Sequence, residues 1–189
     1  MINPVFSQSA EEILETALER SLALNNSYYK FLIESKVESL LFPMTVELFT
    51  KGEKYFIDTE AIDQIYDGEN IFTIIHENQE IIVGNVDISL LSFTPNQIFN
   101  FFLENYILNI NSESERHIIE ATNRDDNNIT YFISIDSSNY SIEKIEMKDL
   151  LSGQIINTFL TLTYDYNLTV PLSLFKFDID NYDNYILIQ

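Results

Sequence analysis

A chain of 189 residues, 46% apolar and 21% charged, has enough Leu, Ile, Phe and Tyr along its whole length to bury one sizeable core, which excludes a disordered chain. Ten Lys and Arg against thirty Asp and Glu give a net charge of −20, which argues against nucleic acid and against anionic membrane surfaces as partners, since both need a basic face. The chain has no cysteine, so disulfides, thiolate metal sites and Cys nucleophiles are excluded, and no run reaches the ~18 consecutive apolar residues of a membrane-spanning helix.

Residues 1–8 lack the basic start and long apolar stretch of an intact signal peptide. They read as the remnant of one, or as a disordered N-terminus, ahead of a single domain over 9–189. The first element is a helix over 9–24. Ser9 and Glu12 form a capping box, and Ile13, Leu14, Ala17, Leu18 and Leu22 recur at helical spacing, so the helix must lie on an apolar surface. From Tyr28 the period changes to two: Tyr29, Phe31, Ile33 and Val37 alternate with Lys30, Glu34, Lys36 and Glu38, and around Pro43 the set Phe42, Met44, Val46 and Leu48 alternates with Thr45, Glu47 and Phe49. Lys51-Gly52-Glu53, Asp67-Gly68 and Glu77-Asn78 are turn signals that separate strands over 54–58, 62–66, 71–76 and 80–86.

Thr94 and Pro95 open a second helix over 95–103, with Ile98, Phe99, Phe102 and Leu103 on its apolar side. Strands are then predicted over 116–121, 129–135, 140–148, 154–166 and 174–179. The fold class that follows is mainly β with α: one antiparallel meander of about ten strands, with two helices on one face.

Catalytic constellations are scarce. His76 and His117 each stand alone at strand positions, and no nucleophile elbow, zinc-protease motif or phosphate loop is present. Asp125-Asp126 sits in a predicted turn, and the acidic run 178–183 lacks the glycine and distal glutamate of a calcium loop. No metal, cofactor or enzymatic activity is expected, although thirty acids leave a carboxylate-pair hydrolase open. The sheet's apolar face exceeds what two modest helices cover. Either the core is filled in the ordinary way or the surplus encloses a pocket for an apolar ligand.

The order of Phe49-Thr50-Lys51-Gly52-Glu53-Lys54-Tyr55, Ile65-Tyr66-Asp67-Gly68-Glu69-Asn70-Ile71-Phe72, Glu80-Ile81-Ile82-Val83-Gly84-Asn85-Val86 and Phe93-Thr94-Pro95-Asn96-Gln97-Ile98-Phe99 resembles that of the outer-membrane lipoprotein carriers, the LolA-like family. The second half agrees, through Phe132-Ile133-Ser134-Ile135-Asp136, the segment 142–149, the long strand through 158–164 and Leu174-Phe175-Lys176-Phe177-Asp178. The resemblance implies an incomplete β-barrel, strongly curved, with helices lidding its concave side. It implies a periplasmic carrier, expected as a monomer, that takes acylated lipoproteins from an inner-membrane ABC transporter to an outer-membrane acceptor without a cofactor. The alternative is a lipid- or lipoprotein-sensing module of the same fold.

On this reading the apolar strand phase places Phe31, Ile33, Met44, Val46, Leu48, Phe72, Ile74, Tyr131, Ile133, Leu160 and Leu162 around the acyl chains, and Leu14, Leu18, Ile98, Phe99 and Phe102 form the lid. Where such carriers have an arginine that ties sheet to lid, this sequence has Gly52. Closure is therefore expected to rest on the apolar contacts of Leu14, Leu18, Phe99 and Phe102.

Overall fold

The computed structural model describes residues 8–23, 26–36, 43–84, 94–112, 115–124 and 128–188. The readings made for residues 1–7, Val37, Phe42 and Asp125-Asp126 fall outside these. Helix α1 spans Ala10–Ala23 and α2 spans Pro95–Asn105. Both open on capping boxes: the one at Ser9 is as predicted, and at Thr94 the predicted N-cap is completed into a box by Gln97. The Ser9 hydroxyl accepts from the Glu12 amide at 3.2 Å while the Glu12 carboxylate accepts from the Ser9 amide at 2.9 Å, and Thr94 and Gln97 repeat the arrangement.

The strands are β1 (Asn26–Ser35), β2 (Met44–Lys51), β3 (Lys54–Thr59), β4 (Ile62–Tyr66), β5 (Ile71–Ile75), β6 (Glu80–Val83), β7 (Tyr106–Ser112), β8 (Arg116–Asn123), β9 (Ile129–Asp136), β10 (Ile142–Asp149), β11 (Gln154–Tyr166) and β12 (Ile186–Ile188). They form one sheet in the order β12-β6-β5-β4-β3-β2-β1-β11-β10-β9-β8-β7. Two meanders, β1–β6 and β7–β11, join along the antiparallel β1–β11 pair, and only β12 is parallel to its neighbour. The sheet is open and curled, not closed into a barrel.

Two strands were not predicted. β7 follows α2 with no turn residue between them, because Tyr106 caps the helix in an extended conformation and starts the strand at once. β12 is three residues long. Conversely, the strand predicted over 174–179 is replaced by two 3₁₀ turns, Leu172–Phe175 and Ile179–Asn181. Each closes on local bonds: the Lys176 amide donates to the Ser173 carbonyl, and the Asp178 carboxylate accepts from the Asp180 amide. That last contact gives the acidic run 178–183 an ordinary capping role.

The two faces of the sheet carry separate cores. On the inner face, Ala10, Ile13, Leu14 and Ala17 of α1 and Ile98, Phe99 and Phe102 of α2 pack with Tyr29, Phe31, Ile33, Val46, Leu48, Ile57, Ile119, Ile133 and Phe159 in one buried cluster. Pairing carries this face across the sheet, since Leu48 is opposite Ile57, Ile57 opposite Gln64 and Gln64 opposite Thr73. On the outer face, Ile65, Ile74 and Ile81 form a second cluster with Phe56 and Phe72.

The C-terminal segment covers that second cluster. Phe177 stacks on Phe72 with ring centroids 4.4 Å apart at 11°, and Tyr182 stacks on Phe177 in turn. Lys51 Nζ donates to the Val170 carbonyl at 3.0 Å and fixes the start of the strap.

Candidate functional site

The helix stripe and the inner strand phase do not close completely on each other. A cavity of about 330 Å³ lies between the C-terminal half of α1, the start of α2 and the inner face of β1, β10 and β11. Its apolar walls are Ala17, Tyr29, Phe31, Ile98, Phe99 and Ile142. The small side chain of Ala17 creates the space, for a larger residue there would fill the gap between helix and sheet. The lining also carries polar side chains: Arg20, which is exposed at the mouth, Ser21, Asn139, Tyr140, Thr161, Tyr166 and the buried Ser141.

The mouth is built on the β9–β10 turn. The Asp136 carboxylate accepts from the Ser138 amide at 2.7 Å, the Ser138 hydroxyl at 2.5 Å and the Asn139 amide at 3.1 Å, bonds that hold it below the usual carboxylate range. The turn closes with Tyr140 in the left-handed region at φ +59°. Its ring then meets three partners: the Arg20 guanidinium with its central carbon 4.5 Å from the ring centroid, the Gln8 side chain, which accepts from the hydroxyl at 3.1 Å, and the His117 ring. Arg20 also donates from Nη1 to the Ser138 carbonyl at 3.3 Å, so helix α1 is tied to the turn beside the cavity entrance.

Deeper in, Tyr29 and Tyr166 meet edge to face at 6.2 Å, and burial raises both phenols above their ordinary range, so each remains a neutral donor. Further along the inner face Tyr55 donates to Gln64 at 2.9 Å, and Gln64 donates to Thr73 at 3.1 Å. Burial pushes the Tyr55 phenol up to about 12. This chain satisfies the buried Gln64 and Thr73, and it makes the β3–β5 end of the inner face polar.

The site residues expected from the strand phase divide. Phe31, Ile33, Val46, Leu48 and Ile133 are buried on the inner face, with Met44 and Tyr131 at its margin, and Leu14, Ile98, Phe99 and Phe102 are buried with Leu18 packed beside them. Phe72 and Ile74 are on the outer face under the C-terminal strap, which corrects the phase chosen for 71–75. Leu160 and Leu162 are also misplaced: Leu160 pairs with outward Leu32, and Leu162 falls at a bulge and is 46% exposed, while Phe159 takes the inward position.

Within the expected set only Phe31, Ile98 and Phe99 touch the cavity; Phe72, Ile74, Leu160 and Leu162 are off the inner face, and the others belong to the inner core or its margin. Ala17 and Tyr29 carried the apolar periodicity that would have nominated them, whereas Tyr140 and Tyr166 are brought in only by the fold. Gly52 sits in the β2–β3 turn at φ +59°, and a Cβ added there would meet no atom within 4 Å. That position contacts no lid.

His76 does not stand alone. Its Nδ1 lies 2.9 Å from the Tyr185 hydroxyl and its Nε2 lies 3.1 Å from Asp63 Oδ2, so it bridges the sheet to the strap. Burial raises the Asp63 carboxyl, and the adjacent imidazole partly offsets this. Among the described residues no group of His, Cys, Asp and Glu is arranged to hold a metal ion.

No family model and no curated relative matches the sequence. The chain is similar in structure to an uncharacterized conserved protein from Thermus thermophilus, at 9% identity and a TM-score of 0.63 over 96% of this chain and 99% of that one. Weaker superpositions are found with the lipoprotein LppX from Mycobacterium tuberculosis (13% identity, TM-score 0.48, 86% and 97% of the two chains) and with a LolA superfamily protein from Nitrosomonas europaea (13% identity, TM-score 0.43, 90% and 98%). The Thermus likeness establishes a shared fold.

Proposed function

We propose that this protein is a carrier that shelters the acyl chains of lipoproteins beneath its two helices while they cross an aqueous compartment. The observation that carries the reading is the apolar cavity between the helices and the inner face of the sheet. Acyl burial is worth ~0.8 kcal/mol per methylene, so an enclosed apolar space is what such cargo needs in transit, and release requires an acceptor offering comparable burial. The order of motifs along the chain, with its resemblance to the LolA-like carriers, supports a periplasmic setting, delivery from an inner-membrane ABC transporter and receipt at the outer membrane. The carrier makes and breaks no covalent bond and uses no cofactor. Its charge of −20 keeps it from adhering to anionic membrane surfaces between the two exchanges.

A second reading, a lipid-binding or lipid-sensing module, is favoured by the modest volume of the cavity, at the lower end of the ligand-pocket range. Mass spectrometry of the protein purified from its own cells separates the two: bound acylated proteins support the carrier and free lipid supports the module. Purified protein that holds neither, and takes up no apolar probe, overturns both.

A further inference from the structure

The lining of the cavity departs from the composition of the chain. Acids outnumber bases three to one, yet the lining contains one cation, Arg20, and no carboxylate. Elsewhere on the described surface acids line the depressions: one of about 820 Å³ beside the β3–β4 turn has Glu47, Asp58, Glu60 and Glu77, and one of about 880 Å³ on the outer face has Glu143 and Glu146 balanced by Arg116 and Lys144. A cation at the rim of an apolar pocket whose lining holds no carboxylate, with the nearby Asp136 carboxylate engaged by the amides and hydroxyl of its own turn, is the arrangement that receives an amphiphile with a negative head.

The volume limits the tail. At about 330 Å³ the cavity is near the lower end of the range for ligand pockets, which suits one chain of medium length better than three.

Resting on the acyl-binding reading above, the geometry points to a narrower ligand class for this conformation: a single-chain amphiphile with an anionic head group, its tail between α1 and the sheet and its head on Arg20. The guanidinium has five N–H donors in a planar fork, and its bond to the Ser138 carbonyl occupies one. Among the described residues no second acceptor meets the guanidinium, so its other donors can serve a carboxylate or phosphate at the mouth, with the Ser21 side chain in the same lining. Tyr140 beneath the guanidinium fixes the plane of the fork.

Titration calorimetry of the full chain with dodecanoate, dodecanol and a synthetic triacylated lipopeptide, each below its micelle concentration, tests this. The net charge repels anions, so tighter binding of dodecanoate than of dodecanol has to originate at the site itself. Dodecanoate is expected to bind the more tightly and to lose about tenfold in Arg20→Gln, with dodecanol unchanged and Arg20→Lys intermediate. Should Arg20→Gln fail to fold, the preference of the unmodified chain for dodecanoate and its reduction in Arg20→Lys decide the matter. A fatty carboxylate and a single-chain phospholipid share this chemistry, and competition of dodecanoate by a lysophosphatidic acid separates the sources. Equal binding of dodecanoate and dodecanol, or binding of dodecanoate that ignores Arg20, overturns the assignment of the head group. Binding of the lipopeptide without dodecanoate overturns the single-chain inference and leaves the carrier reading standing, whereas binding of none of the three removes the carrier reading itself.

Discussion

The Tyr140 ring lies beneath the Arg20 guanidinium at 4.5 Å, and the residue that presents it has a left-handed backbone, φ +59°. A non-glycine residue in that region costs roughly 1–2 kcal/mol, and the cation–π contact returns about 0.5–1 kcal/mol at an exposed site. The cation–π contact by itself therefore adds little to stability, the Gln8 and His117 contacts offset the rest of the backbone cost, and the clasp acts on the entrance of the cavity. Tyr140→Gly should melt within a few degrees of the unmodified chain while an apolar fluorescent probe exchanges several-fold faster. A large fall in melting temperature with unchanged exchange would assign Tyr140 to the fold instead of the mouth.

Asp136 makes the same turn sensitive to acid. Ser138, by its hydroxyl and its amide, and then Asn139 lower the carboxyl below its ordinary value. Since the folded pKa is the lower one, the stabilisation is present above the unfolded value of ~3.9 and is lost as pH falls through the folded value. Stability should be flat in this respect from pH 7 to 5 and decline below about 4. Asp136→Asn keeps an acceptor for the turn amides and should flatten that acid limb in melts recorded from pH 7 to 3.

Which side of the sheet faces the helices was readable wherever one phase alone was apolar. Tyr29, Phe31 and Ile33 alternate with Lys30 and Glu34, and Val46 and Leu48 alternate with Thr45 and Glu47, so these strands could pack in only one way. Ile71-Phe72-Thr73-Ile74-Ile75 and the 13-residue β11 are apolar in both phases, and there the sequence underdetermines the face. In β5 the decision rests with the C-terminal strap, which offers Phe177 to Phe72 from more than a hundred residues away. In β11 a bulge at Leu162 shifts the phase within the strand. The cavity was less legible than the fold because it depends on the distance between α1 and the sheet, and Arg20 reads as one more charge on a solvated helix face until the β9–β10 turn is placed beside it.

The two cores predict different consequences for similar substitutions. Leu48 is fully buried beneath the helices, so Leu48→Glu places a carboxylate where no partner is at hand, at a cost of several kcal/mol, and the domain should unfold. Phe72 is only partly buried, on the outer face against Phe177. Phe72→Ala should cost about 2 kcal/mol, below the 3–5 kcal/mol of a fully buried phenylalanine, and act mainly on the strap. Hydrogen exchange should show faster exchange across 172–188 with the inner core protected and probe binding intact. Loss of probe binding in Phe72→Ala would mean that the outer core supports the cavity.

Gly52 separates turn from latch. At φ +59° a side chain there costs about 1 kcal/mol, and in open space it gains no partner. Gly52→Arg should lower the melting temperature by a few degrees and leave probe exchange unchanged, whereas slowed exchange would place the lid within reach of this turn. Lys51→Ala, by removing the bond to the Val170 carbonyl, should increase cleavage of the strap by protease without affecting the cavity.

Ala17 offers the most direct test of whether the space above the inner face is kept open for use. The residue is 2% exposed and forms part of the cavity wall, so Ala17→Leu directs three additional carbons into existing volume. If the cavity is a packing defect, filling it should raise stability, since voids cost about 24 cal/mol per Å³, and nothing else should change. If the space receives an acyl chain, the same substitution should raise the melting temperature of the empty protein by a few degrees and weaken binding of an apolar probe by about tenfold, the trade of function for stability expected where a void is kept for a ligand. Melts recorded with and without saturating probe separate the two, because the ligand-induced rise in melting temperature should shrink in Ala17→Leu only if ligand and leucine compete for one volume. A rise preserved in full would place the ligand elsewhere on the molecule.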